Sequence, residues 1–459
     1  MPINQTIFRQ YDVRGIVGTD LTEDVAYGIG RGYAAFLAVR GIKGAVAVGR
    51  DNRPSGDMLR DATVRGLTEC GVDVVDIGVV PTPLLYWSLH HEHVVGGIQI
   101  TGSHNPSEYN GFKMCIGKGS LYGAAIQELY QLIIAGTFPR GPAQITHVDV
   151  IDRYVADIAA RVGQIRRADG STLKVVYDCG NGAGALVAPQ LMQALGIDGV
   201  GLFTESDGTF PNHHPDPTVP ENLEDCIASV RSNHAEIGVA FDGDADRIGV
   251  VDGHGHIIWG DHILILYARD VLARTGPGQP IIFDVKCSQA LTDEIEKAGG
   301  VPVMWKTGHS LIKEKMKELH APIAGEMSGH MFFTEGFYGH DDALYAAARL
   351  LRIVADSGRR VDELLSDVTP YVSTPELRID TDEISKFTIV ERAAAHFKKT
   401  HQVIEVDGVR VLFGDGWGLL RTSNTQPIIV ARFEARTADR LAEIRAEMEG
   451  WLHTQGVSI

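Results

Sequence analysis

One short segment of the chain combines three side chains that can take part in group transfer. The segment ITGSHNPSEYNGFKM, residues 100 to 114, places Ser103 between a glycine and His104 and ends close to Lys113. A hydroxyl, an imidazole and an ammonium can serve as a nucleophile, an acid or base, and a charge stabiliser. The hydrolase elbow G-x-S-x-G is absent, because His104 follows the serine and Pro106 stands where that motif begins its helix. Taken alone, the segment is compatible with an ordinary turn or with a catalytic loop.

Three aspartates alternate directly after an apolar run. DGDADR places Asp242, Asp244 and Asp246 behind IGVAF. Three carboxylates this close repel one another unless a cation lies among them, and hard divalent cations prefer oxygen ligands. An EF-hand does not fit, since positions six and twelve counted from Asp242 are Arg247 and Gly253 instead of Gly and Glu. The pattern predicts a metal site; a phosphatase that uses the first aspartate of a D-x-D pair as nucleophile is the alternative.

Two further polar segments have the residue types that bind a sugar phosphate. GEMSGH, residues 325 to 330, alternates Glu326, Ser328 and His330 between glycines. Glu and Ser can accept from and donate to sugar hydroxyls, and glycines allow a close backbone approach. RTSNTQP, residues 421 to 427, joins a guanidinium to hydroxyls, an amide and backbone N–H groups, a set that suits a phosphate. Each segment alone is also compatible with an ordinary turn.

Composition and charge narrow the class of protein. The chain has 459 residues, of which 44% are hydrophobic and 22% charged, as in globular proteins. At about 100 to 200 residues per domain, this length predicts three or four domains. A net charge of −17 argues against nucleic acid as a partner but leaves room for a small anionic ligand.

The termini and the cysteines indicate a soluble cytoplasmic protein. The N-terminus lacks a basic region followed by an apolar stretch, and the chain contains no run of about 18 apolar residues. We therefore expect neither secretion nor a membrane partner. The five cysteines are scattered and form no C-x-x-C pair, so a disulfide framework or a zinc site is not expected.

The chemistry-bearing segments must be positioned by an α/β scaffold, because short β-branched runs alternate with helical segments. The runs beginning at residues 44, 174 and 279 each precede helix-like sequence. We infer three similar α/β domains, followed by a last domain that begins near residue 370. The expected boundaries are 1–150 for the domain with the serine loop, 151–252 for the metal loop, 253–369 for the sugar loop and 370–459 for the phosphate loop.

Together, the four motifs resemble those of the α-D-phosphohexomutase family. TGSHNP, DGDADR, GEMSGH and RTSNTQP occur in the order and approximate spacing of that family, and FRQYDVRG near the N-terminus extends the resemblance over almost the whole chain. TGSHNP with GEMSGH is most similar to the bacterial phosphomannomutase/phosphoglucomutase group.

The resemblance implies a fold, a reaction and a role for each matching residue. The implied fold has three similar mixed-sheet α/β domains plus a smaller α+β C-terminal domain around a central cleft. It implies that Ser103 carries a phosphoryl group, that Asp242, Asp244 and Asp246 hold Mg²⁺ beside it, and that hexose 1-phosphate and 6-phosphate are interconverted through a bisphosphate. Glucose 1,6-bisphosphate or an equivalent would activate the enzyme. The remaining catalytic candidates are Lys113 as general base, Arg247 as a charge stabiliser, His330 as acid or base, and His104, which orients the serine loop. The candidates for substrate binding are Tyr11, Arg14, Lys306, His309, Glu326, Ser328, Arg421, Ser423, Asn424 and Thr425.

Several alternatives stay open at this point. Lys113 can act as a base at neutral pH only if burial or neighbouring cations lower its pKa. The sugar can be a mannose, glucose or glucosamine phosphate, so a phosphoglucosamine mutase is an alternative. A sugar-phosphate phosphatase and a binding-only sensor are further ones. The chain can be a monomer or a homodimer.

Overall fold

A computed structural model describes residues 3–382, 385–423 and 428–457 of the chain. These residues form two compact units. The first unit contains the described residues up to Tyr267 together with Ser328–Leu364, and the second contains Ala268–Met327 together with the described residues from Leu365 onward.

Helices and strands alternate along most of the described chain. The helices are α1 (Glu23–Val39), α2 (Gly56–Glu69), α3 (Thr82–His91), α4 (Ala124–Ala135), α5 (Ile151–Val162), α6 (Ala188–Ala194), α7 (Glu224–Ser232), α8 (Gly260–Thr275), α9 (Gln289–Lys297), α10 (His309–Leu319), α11 (Ala343–Ser357), α12 (Val361–Leu364), α13 (Ser385–Phe397) and α14 (Ala438–Thr454). Short 3-10 helices occur at Gln5–Ile7, Ala183–Leu186 and Pro220–Leu223.

The strands are short, as expected for α/β domains. They are β1 (Val13–Ile16), β2 (Ala45–Arg50), β3 (Val74–Val79), β4 (Val94–Ile100), β5 (Tyr109–Ile116), β6 (Gly119–Ser120), β7 (Ile145–His147), β8 (Lys174–Asp178), β9 (Asp198–Leu202), β10 (Ile237–Phe241), β11 (Ile248–Asp252), β12 (Ile257–Ile258), β13 (Pro280–Asp284), β14 (Val301–Trp305), β15 (Ile323–Gly325), β16 (Met331–Phe333), β17 (Val372–Ser373), β18 (Leu377–Asp380), β19 (Gln402–Ile404), β20 (Val409–Leu412), β21 (Gly416–Thr422) and β22 (Ile428–Ala435).

The first unit contains two mixed sheets. In the first sheet the strand order is β1-β5-β4-β2-β3-β7, and β6 pairs with β5. The pairs among β4, β2, β3 and β7 are parallel, whereas β1, β4 and β6 pair with β5 in the antiparallel sense. The second sheet has the order β12-β11-β10-β8-β9, parallel from β10 to β9 and antiparallel from β10 to β12. The central strands are buried on both faces and are therefore nearly continuous apolar runs.

The second unit combines a parallel and an antiparallel arrangement. Strand β13 pairs in parallel with β14 on one side and β15 on the other. The C-terminal sheet has the order β17-β22-β21-β20-β19, with β18 also paired to β22, and all its pairs are antiparallel. Helices α13 and α14 supply apolar side chains to the core of this sheet, which is the α+β arrangement expected for the C-terminal domain.

Two sequence expectations differ in detail from the structure. The sequence YVSTPELRID, residues 371 to 380, predicts one strand, but the segment forms β17 and β18, which are separated by residues 374–376. Proline lacks the N–H that a ladder requires, so Pro375 explains the interruption. The pattern of residues 147 to 162 predicts one amphipathic helix, but α5 begins only at Ile151, because His147 belongs to β7. None of the described helices has both the length and the apolar character needed to cross a bilayer.

Helices α1 and α2 touch through their backbones. A Cβ atom on Gly30 of α1 would lie 2.2 Å from the carbonyl oxygen of Thr63, and one on Gly66 of α2 would lie 2.4 Å from that of Tyr27. Neither position has room for a methyl group. The two glycines therefore allow the close packing that covers one face of the first sheet.

Gly30→Ala is expected to lower the free energy of unfolding by about 1–3 kcal/mol, because the added methyl group overpacks the helix contact. Gly28→Ala in the same helix is the matched control, since its Cβ would meet only side-chain atoms, at 3.5 and 3.6 Å. Gly28→Ala should raise the free energy of unfolding by up to about 1 kcal/mol, because alanine has a higher helix propensity than glycine. Urea denaturation followed by circular dichroism measures both, and equal effects of the two changes would contradict the packing interpretation.

Candidate active site

The serine loop connects β4 to β5 at the carboxyl end of a buried parallel strand, where α/β folds commonly place ligands. Ser103 is 4% exposed and has a φ of 49°, a left-handed conformation that is unusual for a residue other than glycine. Its N–H donates to Thr101 Oγ1 at 2.9 Å, and its Oγ lies 3.1 Å from Asp242 Oδ2 and 3.1 Å from His104 Nδ1. The structure thus joins the first two motifs of the sequence.

The aspartate loop connects β10 to β11 and turns its carboxylates inward. The backbone N–H groups of Asp246 and Arg247 donate to Asp242 Oδ1 at 3.0 and 3.1 Å. Asp242, Asp244 and Asp246 are all fully buried, and each offers a carboxylate oxygen within 4.8 Å of the others. Burial and the charges of the other two aspartates raise the pKa of Asp242 well above its usual range. The proximity of the three buried carboxylates therefore opposes the ionisation of Asp242.

The donor set fits a hard divalent cation. Asp244 Oδ1 is buried without a hydrogen-bond partner, although its Oδ2 accepts from Thr82 Oγ1 at 2.5 Å, Thr101 Oγ1 at 3.1 Å and Lys113 Nζ at 2.8 Å. A buried carboxylate oxygen without a partner is costly unless a cation takes the place of the missing donor. Three carboxylates with such an oxygen are the ligands that Mg²⁺ accepts.

Lys113 lies on β5 between two of the aspartates. Its Nζ is 2.8 Å from Asp244 Oδ2 and 2.5 Å from Asp246 Oδ2. Burial lowers the pKa of Lys113, but the charges of Asp244, Asp246 and Asp341 outweigh it and raise the pKa above the usual value. The same ion pairs contribute to lowering the pKa of Asp244 and Asp246. Lys113 is therefore an ammonium in this arrangement, which is the opposite of the neutral amine that the general-base role requires.

His330 and Arg247 meet beside Asp246. His330 Nε2 lies 3.1 Å from Asp246 Oδ1 and 3.3 Å from Arg247 Nε, and the two residues also form an isolated antiparallel bridge. His330 Nδ1 lies 3.3 Å from Ser328 Oγ, so the end of the GEMSGH segment adjoins the aspartate loop. The structure thereby brings together four of the predicted site residues.

His104 is half-buried beside the serine. Burial, together with the charges of Arg247 and Arg14, lowers its pKa well below the usual value, although Asp216 acts in the opposite direction. His104 is thus a neutral imidazole whose Nδ1 faces Ser103 Oγ. A neutral ring suits the orienting role expected from the sequence.

Of the two N-terminal candidates, Arg14 contacts the serine loop directly. Its Nη1 donates to the carbonyl oxygen of Gly102 at 2.7 Å and to Asn105 Oδ1 at 2.5 Å. Its Nη2 forms an ion pair with Asp12. Tyr11 is partly exposed just before β1. The structure therefore ties Arg14, expected as a substrate-binding residue, to the position of the serine.

The second unit collects a separate set of polar residues. Glu326 is buried, and its Oε1 accepts from the backbone N–H of Gly308 at 2.5 Å. Asp407 Oδ2 accepts from Arg421 Nε at 3.0 Å and from the N–H of Thr307 at 3.1 Å. Asp407 thereby joins the RTSNTQP segment to the MWKTGHS segment.

The other candidates of the second unit lie on the same segments. Lys306 is exposed, and His309, which begins α10, is partly buried. Ser423 is buried, and its carbonyl oxygen accepts from Lys386 Nζ at 3.0 Å. Asn424 and Thr425 lie outside the described residues.

Several residues at these sites were not found from the sequence. Thr82 and Thr101 hold Asp244, Asp341 lies with Asp246 and His330, and Asp407 holds Arg421. Thr101 directly precedes the GSHNP turn and could have been found by adjacency. Asp407 follows no pattern that local sequence reveals, because its partners are distant in the chain.

Comparison with known proteins identifies the class. Four family models match successive parts of the chain: Phosphoglucomutase/phosphomannomutase, alpha/beta/alpha domain I over residues 5–140, domain II over 152–255, domain III over 259–371, and the C-terminal domain over 376–450. The expected architecture of three α/β domains and a different C-terminal domain is confirmed. The matches define the class as that of the phosphohexomutases.

Individual relatives agree with this class. The phosphomannomutase/phosphoglucomutase of Pseudomonas aeruginosa is 47% identical over 441 residues, which is 96% of this chain and 94% of the relative. A phosphoglucomutase of Neisseria gonorrhoeae is 47% identical over 96% of each chain. The crystal structure of a phosphoglucomutase/phosphomannomutase family protein from Burkholderia thailandensis superposes with a TM-score of 0.91 at 46% identity, covering 97% of both chains. The chain belongs to the phosphoglucomutase/phosphomannomutase family.

The loop that carries Asp216 is held against the aspartate loop, because the N–H of Gly243 donates to the carbonyl oxygen of Pro215 at 3.2 Å. His213, in the same loop, places Nε2 3.1 Å from Asp178 Oδ2 at the end of β8. Burial opposes protonation of His213, but the hydrogen bond and charge of Asp178 raise its pKa above the usual value.

We expect His213→Gln to lower the free energy of unfolding more at about pH 5.5 than at about pH 8.5. A raised pKa means that the ion pair stabilises the fold fully below the unfolded-state pKa of about 6.5, and that this contribution is lost as the pH rises through the folded-state value. Denaturant titrations at both pH values measure the difference. His234→Asn, which removes a histidine at an exposed position, is the control against which the pH dependence of His213→Gln is judged.

Proposed function

We propose that Ser103 is the phosphoryl carrier of this phosphohexomutase. The observation that supports it most directly is the position of Ser103 Oγ, 3.1 Å from Asp242 and at the edge of three buried carboxylates. A hydroxyl at that position gains access to a cation and to positive side chains, which phosphoryl transfer requires. Neither a structural turn nor a solvated acidic loop needs this combination.

The candidate residues of the first unit have different tasks in the proposed reaction. Ser103, Asp242, Asp244 and Asp246 would hold Mg²⁺, which would neutralise charge on the transferring phosphoryl group. Arg247 stabilises that group from the side of Asp246, and Lys113 does so as an ammonium held between Asp244 and Asp246. His330 is the group that can take the proton of the sugar hydroxyl. His104 and Arg14 keep the serine loop in place.

The reaction is a phosphoryl exchange in two steps. In the first step the bond between phosphorus and Ser103 Oγ breaks and a bond to the free C1 or C6 hydroxyl of a hexose monophosphate forms. The hydroxyl proton passes to a neighbouring base, and Ser103 Oγ takes up a proton in exchange and becomes a hydroxyl. In the second step the bisphosphate returns its other phosphoryl group to Ser103. Glucose 1,6-bisphosphate would activate unphosphorylated enzyme by the second step alone.

The candidates of the second unit suit recognition of the sugar and its distal phosphate. Arg421 and Ser423 offer a guanidinium and a hydroxyl to a phosphate, Lys306 and His309 offer two further nitrogen groups, and Glu326 reads sugar hydroxyls. Ser328, which belongs to the first unit, is a further candidate for reading a sugar hydroxyl. Mannose and glucose differ at one hydroxyl, so recognition of the others accepts both sugars.

The five cysteines are buried free thiols, as a reducing cytoplasm would leave them.

Phosphorus NMR tests the proposed reaction. Glucose 1-phosphate and, separately, mannose 1-phosphate are followed with Mg²⁺ and a trace of glucose 1,6-bisphosphate, for wild type and for Ser103→Ala. We expect the signal to move to the 6-phosphate with wild type only. Accumulation of inorganic phosphate would instead identify a phosphatase. Glucosamine 1-phosphate is followed in the same way, and its faster turnover than that of the other two sugar phosphates would identify a glucosamine mutase.

Asp244→Asn should lower kcat by about 100-fold or more, because it removes charge from the proposed cation site. We expect MgCl₂ to raise the melting temperature of the wild type, since a ligand that binds only the folded state stabilises it, and we expect Asp244→Asn to abolish that increase. Asp225→Asn, at an exposed position on α7, is the control and should keep both properties. An unchanged Mg²⁺ response in Asp244→Asn would place the cation elsewhere.

A further inference from the structure

Arg53 is an arginine outside the proposed reaction whose hydrogen-bonding capacity is fully used. It lies in the GRDNRPSG segment that follows β2, and its side chain has an exposure of 0%. All five guanidinium N–H donors have acceptors within the first unit, and five is the maximum for this group. A buried arginine with this complete a set of partners fixes whatever it contacts.

Four of the five acceptors are backbone carbonyl oxygens of one segment, the serine loop. Arg53 donates to the carbonyl oxygens of Ser103 at 2.7 Å, Asn105 at 2.6 Å, Pro106 at 2.5 Å and Tyr109 at 3.0 Å. The loop therefore wraps around a single guanidinium. Arg14 adds a further contact, from its Nη1 to the carbonyl oxygen of Gly102.

Asp51 joins the arginine to the start of the same loop. Its Oδ2 accepts from Arg53 Nε at 3.1 Å and from the N–H of Gly102 at 3.0 Å, and its Oδ1 accepts from the N–H of Arg53. A Cβ on Gly102 would lie 2.3 Å from Arg53 Cζ, so the backbone lies directly against the guanidinium. The Asp51–Arg53 pair thus holds both the N–H of Gly102 and the carbonyl oxygen of Ser103.

The residue that this network holds is in an unfavourable conformation. Ser103 has a φ of 49°, and such a backbone persists only where the surroundings determine it. In the proposed reaction Ser103 also gains and loses a group of charge about −1.5 to −2 in each cycle. The loop must therefore keep the position of Oγ while the charge beside it changes.

We propose that Arg53, oriented by Asp51, is a positioning residue that holds Ser103 in its left-handed conformation for phosphoryl transfer in both directions. This inference rests on Ser103 being the phosphoryl carrier. Arg53 contacts the loop backbone and takes no part in bond making. Its loss should lower the rate of transfer and leave the binding of the sugar phosphate nearly unchanged.

Arg53→Lys tests the proposal, because it keeps the charge but cannot reach four carbonyl oxygens at once. We expect kcat to fall by about 100-fold, as for a misplacement of about 1 Å, while KM changes by less than about 3-fold. Intact mass spectrometry should show that glucose 1,6-bisphosphate phosphorylates Ser103 correspondingly more slowly. Hydrogen exchange should increase in the peptide covering residues 102–109 but not in β8.

Two further variants keep the test decisive. Asp51→Asn keeps the shape of Asp51 and should lower kcat by a smaller factor, again with KM nearly unchanged and with increased hydrogen exchange at residues 102–109. This variant tests the proposal independently if Arg53→Lys folds poorly. Arg349→Lys is the matched control, because Arg349 is also a buried arginine of the first unit and donates to Glu335 and Tyr345. It should lose stability without a change in kcat or in exchange at residues 102–109.

The outcomes separate this inference from the proposed function. Wild-type kcat in both Arg53→Lys and Asp51→Asn, or a loss of activity no greater than that of Arg349→Lys, would overturn the positioning role. Wild-type protein that neither isomerises hexose phosphates nor becomes phosphorylated on Ser103 would overturn the proposed function itself, and the positioning role with it.

Discussion

The repulsion among three buried carboxylates is the constraint on which the first unit depends. Asp242, Asp244 and Asp246 lie within one turn and are buried away from water. Like charges repel one another more strongly in the protein interior than in water. The fold answers this with Lys113, with hydroxyls from Thr82 and Thr101, and with a coordination position for a cation. Each of these groups comes from a different element. The charge of one loop therefore determines the position of several others.

The reactive groups are held by strand ends and by backbone contacts more than by their own side chains. Ser103 follows β4 and the aspartates follow β10, so each lies where a buried parallel strand gives way to a loop. The strands fix where the loops begin, and Arg14 and Arg53 fix how the serine loop turns. Loops are in general the more mobile parts of a fold, but these backbone contacts hold the loop that carries Ser103.

Much of this organisation could be predicted from the sequence, and the rest could not for identifiable reasons. The apolar runs at β2, β8, β10 and β13 predicted the strands, and alternating aspartates after an apolar run predicted a cluster of oxygen ligands. The ion pairs of Lys113 could not be predicted, since the position of a lysine relative to two carboxylates depends on how β5 and the aspartate loop fold together. Asp407 and Arg53 were missed for a similar reason, because their roles lie in contacts with backbone and side chains far along the chain.

The ion pair between Arg421 and Asp407 would make the proposed binding of a phosphate at Arg421 an exchange reaction. Arg421 Nε already holds a carboxylate of its own chain at 3.0 Å, and the same carboxylate accepts from the N–H of Thr307. A phosphate that binds this guanidinium competes with an internal ligand instead of meeting a solvated cation. The affinity at that position is then the difference between two ion pairs, and a doubly charged phosphate competes better than a singly charged anion of the same size.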